Sequence, residues 1–193
     1  MKRVCVFCGS NSGARAVYAA AAALMGEVLA GRDLELVYGG GHIGLMGAVA
    51  DAVLRGRGHV IGVIPQALVA RELAHRGVQD LRVVDSMHER KALMAQLADG
   101  FVALPGGFGT LEEFCEVLTW AQLGLHRKPC GILNVEGYYD SLLRQFDLGV
   151  SEGFVPMLHR EWVLEDANPE SLLDKMSAFI PPRTEKWISR RET

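Results

Sequence analysis

The chain has 193 residues, of which 49% are apolar and 22% charged, and its net charge is −3. This is enough chain for one well-buried globular domain, and a strong basic field for general nucleic-acid binding is excluded. The longest apolar stretch, Val17 to Leu29, is mostly alanine and contains Gly26 and Glu27, too short and too weak for a membrane span. The start, MKRVCVFCGS, holds only a brief apolar run before Cys8-Gly9-Ser10 and reads as a strand instead of a signal peptide. A cytoplasmic protein with no membrane or nucleic-acid partner is expected.

In chain order, RVCVF (3–7) is a short β-rich run, GSNSG (9–13) a turn, and residues 15–30 an alanine-rich helix. LELVY (34–38) is the second strand, GGGHIG (39–44) the second turn and 45–57 the second helix. HVIGVIP (59–65) and LRVVD (81–85) are the third and fourth strands. Ser86 with Glu89 forms a capping box for a helix running to Ala98. GFVAL (100–104) is the fifth strand, followed by PGGFGT and a helix to Leu125. PCGILN (129–134) is the sixth strand, and helices over 138–152 and 169–179 complete a single domain spanning 1–180. Residues 181–193 form a polar tail.

Near-continuous apolar strands separated by helices predict an α/β fold: a Rossmann-like three-layer domain with a mostly parallel sheet. The strand-to-helix turns of such a sheet share its carboxyl edge, where ligands bind. Residues 9–13, 39–44, 86–91 and 105–110 therefore fall on one rim. Cys5 and Cys8, three residues apart on a strand, face opposite sides of the sheet. All four cysteines are expected to be buried free thiols, with no metal site.

GGGHIG matches G-x-G-x-x-G at Gly39, Gly41 and Gly44. A dinucleotide site also needs an acid about 20 residues further on, at the end of the next strand. That strand ends VIPQ, which argues against NAD. Two readings of the turn stay open: backbone N–H groups at Gly40, Gly41 and Gly44 binding an anion, or close helix–strand packing. Gly106, Gly107 and Gly109 repeat the design, and a phosphate or nucleotide explains both turns. The turn is not a P-loop, because it lacks a Gly-Lys-Ser/Thr ending.

Thr110 and Glu113 have the spacing of a capping box, so helix capping alone is one account of them. Arg90 suggests another. Met87, Arg90, Met94 and Leu97 form one helical stripe. An arginine on that apolar face, in the first turn of the helix, opposes the helix dipole and breaks a local rule, as functional residues do. The alternative to a functional role is an arginine that only reaches solvent or pairs with Glu89 or Glu113.

Taken together, CVFCGSNSG, YGGGHIGLMG, SMHERKALM and LPGGFGTLEEF resemble the LONELY GUY (LOG) family of cytokinin riboside 5′-monophosphate phosphoribohydrolases. The family was formerly described as lysine decarboxylases. Its motif, P-G-G-x-G-T-x-x-E with an upstream Arg-Lys, falls on Pro105, Gly106, Gly107, Gly109, Thr110 and Glu113, with Arg90-Lys91. The resemblance implies hydrolysis of a nucleoside 5′-monophosphate, AMP or an N6-modified relative, to free base and ribose 5-phosphate. It needs no cofactor or metal. It makes Arg90 and Glu113 the catalytic pair. Glu72, Lys91, Gly107, Phe108, Gly109, Thr110, Leu111, Glu112 and Thr119 become the lining of the nucleotide site, to which Ser10 of the first turn is added. Phe108 stands where many members carry tyrosine. The resemblance also implies a homodimer, to which Trp120 and Leu123, off the buried stripe of their helix, add some support. The alternative is a nucleotide-binding sensor or carrier without catalysis. A pyridoxal-phosphate decarboxylase is disfavoured, because among five lysines only Lys91 lies on the rim.

Overall fold

The computed structural model describes residues 1–69 and 73–182. Its strands are β1 (Arg3–Phe7), β2 (Glu35–Tyr38), β3 (Val60–Pro65), β4 (Asp80–Val84), β5 (Gly100–Ala103), β6 (Cys130–Leu133) and β7 (Val163–Asp166). They form one seven-stranded sheet in the order β4-β3-β2-β1-β5-β6-β7. Every pairing is parallel. The helices are α1 (Ala16–Gly31), α2 (Gly44–Arg55), α3 (Gln66–Val69), α4 (Met87–Leu97), α5 (Phe108–Gln122), α6 (Asp140–Ser151), α7 (Met157–Arg160) and α8 (Pro169–Ala178).

The central strands are buried on both faces, which is why they read as apolar runs. Val4 and Val6 of β1 pack with Met25 and Leu29 of α1, Val49 and Val53 of α2, and Leu172 of α8. Cys5 and Phe7 point the other way, toward Met94 of α4, Phe114 and Val117 of α5, and Leu143 of α6. Cys5 and Cys8 do fall on opposite faces. With Cys130 they are buried free thiols, and burial pushes all three well above the ordinary thiol range. Cys115 departs from the expectation: it is exposed on the outer side of α5.

Two further differences have local causes. β7 was not anticipated, because VLED carries two acids. As an edge strand, with β6 its neighbour on one side, it can expose them. The helix expected over 138–152 begins only at Asp140, behind a 3-10 turn at Val135–Gly137 in which Glu136 has φ 46°. That break places Tyr138 in the connection.

The strand order reverses beside β1. The chain steps outward through β2, β3 and β4, then returns to the other side of β1 as β5. The carboxyl ends of β1 and β5 thus frame the crevice where open parallel sheets bind ligands.

Candidate active site

A cleft of about 480 Å³ opens at this crevice, lined by residues 9–13, Gly39, Met87, Arg90, residues 105–110, Glu112, Glu113, Tyr18 and Tyr138, among others. Its walls are joined through the backbone. The Gly9 N–H donates to the Pro105 carbonyl at 3.0 Å, and the Leu45 N–H donates to the Gly9 carbonyl at 3.0 Å. All four rim turns contribute to it, although not in the same way.

Two ionic side chains are buried beside the cleft. Arg90, in the first turn of α4, is 8% exposed, and Glu113, on α5, is 9% exposed. The Arg90 Nη1 donates to Glu113 Oε1 at 2.8 Å, and the Arg90 Nε donates to the Val63 carbonyl at 3.1 Å. Among the described residues, Glu113 Oε2 accepts no hydrogen bond. The third guanidinium nitrogen lies against Gly39: a Cβ there would come within 1.9 Å of Arg90 Nη2. Gly39 is therefore glycine because α4 lays an arginine across its Cα. Burial pushes the Glu113 carboxyl above the ordinary carboxylate range, with Arg90 pulling the other way and Glu112 adding to the rise. The arrangement holds one carboxylate oxygen fixed and leaves the other without a hydrogen-bond donor among the described residues.

Thr110 and Glu113 do not cap a helix. α5 starts three residues earlier than that reading requires, with Gly107 as its N-cap and no side-chain cap. Thr110 is buried within the first turn, and Glu113 is turned toward Arg90. The first N–H groups of α5, at Phe108, Gly109 and Thr110, have no intrahelical acceptor. They end at the cleft, where a helix terminus favours an anion.

The other glycine turn is placed differently from the expectation. Gly39 lines the cleft, but Gly40, Gly41 and Gly44 do not. Gly44, at φ 62°, packs against the Ser10 backbone, where a Cβ would approach within 2.4 Å. The next N–H of α2 is spent on Gly9. Gly40 packs on Ile64, and Gly41 sits under Met46 and forms a bridge with Ala74. This turn holds the 9–13 turn in place, and helix–strand packing, the other reading of it, accounts for its glycines.

Ser10, Gly107, Phe108, Gly109, Thr110 and Glu112 all line the cleft. Phe108 is 93% exposed at its mouth. Leu111 packs partly against the core instead. Thr119 is exposed further along α5, its hydroxyl donating to the Cys115 carbonyl at 2.8 Å. Lys91 belongs to a neighbouring groove between α4 and α5. There its amine bonds Glu112 and Glu116. Burial alone would lower its pKa, but the two carboxylates outweigh that and raise it. Glu72 lies outside the described residues. Sequence reasoning missed Tyr18 and Tyr138, which read as ordinary helix residues and carried no signal of their own.

The parallel sheet and the reversal of strand order define a Rossmann-like α/β domain, with a buried acid–arginine pair beside the cleft at its switch point. A family profile described as "Possible lysine decarboxylase" matches residues 46–176. The chain is 54% identical over 180 residues to a probable cytokinin riboside 5′-monophosphate phosphoribohydrolase of Oryza sativa subsp. japonica, covering 93% of this chain and 79% of that one. It is 50% identical over 190 residues to a cytokinin riboside 5′-monophosphate phosphoribohydrolase of Arabidopsis thaliana, covering 98% and 89%. The chain belongs to the LONELY GUY family of phosphoribohydrolases. Among solved structures, the molybdenum cofactor binding protein of Rippkaea orientalis has the same fold, with a TM-score of 0.70 at 21% identity over 92% of this chain and 97% of that one. At that identity the likeness concerns the fold alone. Among the described residues, no helix is long and apolar enough to cross a membrane.

Proposed function

We infer that this protein hydrolyses the N-glycosidic bond of a nucleoside 5′-monophosphate, an adenine nucleotide with or without an N6 substituent, releasing free base and ribose 5-phosphate. The observation that carries the reading is the buried Arg90–Glu113 pair beside an uncapped helix N-terminus, in a cleft at the sheet's switch point. The 5′-phosphate binds at the start of α5, on backbone donors from Gly107 to Thr110. The bond between C1′ and the base nitrogen breaks with its electron pair going to the base. Positive charge develops on the sugar, and Glu113 stabilises it and activates the attacking water. The water oxygen bonds C1′ and gives up one proton to Glu113, the base nitrogen takes one proton from solvent and leaves neutral, and Glu113 returns its proton to solvent, so that overall OH goes to C1′ and H to the base.

A guanidinium in such a site can hold phosphate or orient a carboxylate. The bonds of Arg90 to Val63 and Glu113 support the second role. A pyridoxal-phosphate decarboxylase is not supported, since Lys91, held between two carboxylates, keeps its proton and is a poor Schiff-base nucleophile. Incubation with AMP and with N6-isopentenyladenosine 5′-monophosphate, followed by detection of base and ribose 5-phosphate, tests the reading. Release from both monophosphates at a higher kcat/KM than from adenosine is expected. Tight binding with no base released would make the protein a carrier or sensor.

We further propose that it works in the cytoplasm as a homodimer. Phe108 is exposed, and Trp120 and Leu123, off the buried stripe of α5, remain partly exposed. Light scattering is expected to give twice the chain mass, and a monomer mass at micromolar concentration would contradict it.

A further inference from the structure

We propose that Tyr138 is a positioning residue that fixes the anion-binding orientation of the Gly106–Gly107 peptide. This rests on the reading of the cleft as a nucleoside-monophosphate site and assigns that site one more residue. Three consecutive carbonyls lead into α5, and each is engaged. The Leu104 oxygen accepts from the Tyr139 hydroxyl at 2.6 Å. The Pro105 oxygen accepts from the Gly9 N–H at 3.0 Å. The Gly106 oxygen accepts from the Tyr138 hydroxyl at 2.6 Å.

A peptide unit is planar and trans, so the Gly107 N–H points away from the Gly106 carbonyl. The chain has no cis peptide bond among the described residues. A peptide between two glycines is also the one least restrained against rotation as a unit, because neither residue has a Cβ. Flipped, it would present a carbonyl oxygen to the phosphate in place of a donor. The bond from Tyr138 selects the orientation that leaves the N–H for the anion.

The tyrosine is itself held in position. Its ring meets Tyr18 edge-on at 5.5 Å and Tyr139 at 4.9 Å. The Arg15 guanidinium lies 5.7 Å from the Tyr18 ring and pairs with Glu136, two residues before Tyr138. Tyr138 is nevertheless 42% exposed, whereas Tyr139 is 2% exposed. The core therefore does not need Tyr138, and in Tyr138→Phe water can reach the Gly106 carbonyl. The fold survives and the orientation of the peptide is no longer selected.

The test compares wild type and Tyr138→Phe by calorimetry with ribose 5-phosphate, AMP and adenosine, and by kinetics with AMP. Affinity for ribose 5-phosphate and AMP is expected to fall about three- to tenfold, the range a single neutral hydrogen bond supports. The KM for AMP is expected to rise with it, while kcat and adenosine affinity hold and the thermal midpoint falls by no more than about 5 °C. Unchanged affinity for ribose 5-phosphate would overturn the proposal, as would an equal loss for adenosine. If wild type binds AMP without releasing adenine, the hydrolase reading falls and the binding comparison still decides the role of Tyr138. If wild type binds neither phosphate ligand, both fall.

Discussion

Two helices of this chain begin with nearly the same sequence signal and use it in opposite ways. Ser86 and Glu89 open α4, and Thr110 and Glu113 lie in the first turns of α5, each pair with capping-box spacing. At α4 the signal means what it says: the Ser86 hydroxyl accepts from the Glu89 N–H at 3.1 Å. The Glu89 carboxylate reaches back too, although it accepts from the Asp85 N–H, at 2.9 Å, instead of that of Ser86. At α5 the helix has already started at Phe108, Thr110 is buried, and the acid is committed to Arg90. A short polar motif is satisfied locally where it meets water. Where it is buried, a partner from another element takes it over. The partner here comes from the other helix, one residue after the glutamate that does cap.

The largest effect expected from disturbing this contrast is at Arg90. Arg90→Met leaves the Glu113 charge buried without its partner, and breaking such a pair costs about 3–5 kcal/mol at neutral pH. Urea denaturation checks it. The deficit should shrink as pH falls, because Glu113 can then take up a proton and no longer needs the guanidinium. In wild type the raised Glu113 pKa has two consequences of opposite sign. Its contribution to stability is full below the pKa of the unfolded chain and is lost as pH rises through the folded value. Under the proposed mechanism activity needs the carboxylate, and it is expected to fall as pH drops through that same value. The acid limb of kcat/KM is therefore expected above the ordinary glutamate range, and a limb within or below that range would contradict the burial argument.

The smaller effects separate the two motifs by stability alone. Ser86→Ala removes a working cap and is expected to cost about 1 kcal/mol, with activity kept. Thr110→Val keeps the shape of a buried side chain that caps nothing and should cost less. Equal losses, measured by the same urea titration, would return Thr110 to the role of a cap.

Much of the fold was legible because burial on both faces writes itself into strands as apolar runs, from RVCVF to PCGILN. β7 was not, since an edge position lets Glu165 and Asp166 stand in a strand. The start of α5 was obscured by Gly107-Phe108-Gly109, which looks like loop. Arg90 was visible because it broke the pattern of its own helix. Its contact with Gly39 was invisible, because only the packing of α4 against the ends of the neighbouring strands creates it. The two glycine turns looked equivalent for a similar reason. Whether a turn's N–H groups face a ligand or a neighbouring carbonyl depends on what lies opposite, and Gly9 lies opposite one of them. Tyr138 acts through its hydroxyl on a turn 32 residues earlier in the chain, and nothing local marks it.

The central claim is that Glu113 has left the capping role for chemistry, and a matched pair of variants tests it most directly. Glu113→Gln and Glu89→Gln each remove one negative charge at the matching sequence position of the two motifs, and glutamine keeps size at both and capping ability at position 89. Turnover of AMP by each is compared with wild type under saturating substrate. The account predicts that Glu113→Gln loses at least about 10²-fold in kcat, the low end for general acid–base roles, while Glu89→Gln turns over AMP at the wild-type rate. Wild-type turnover by Glu113→Gln would contradict the account.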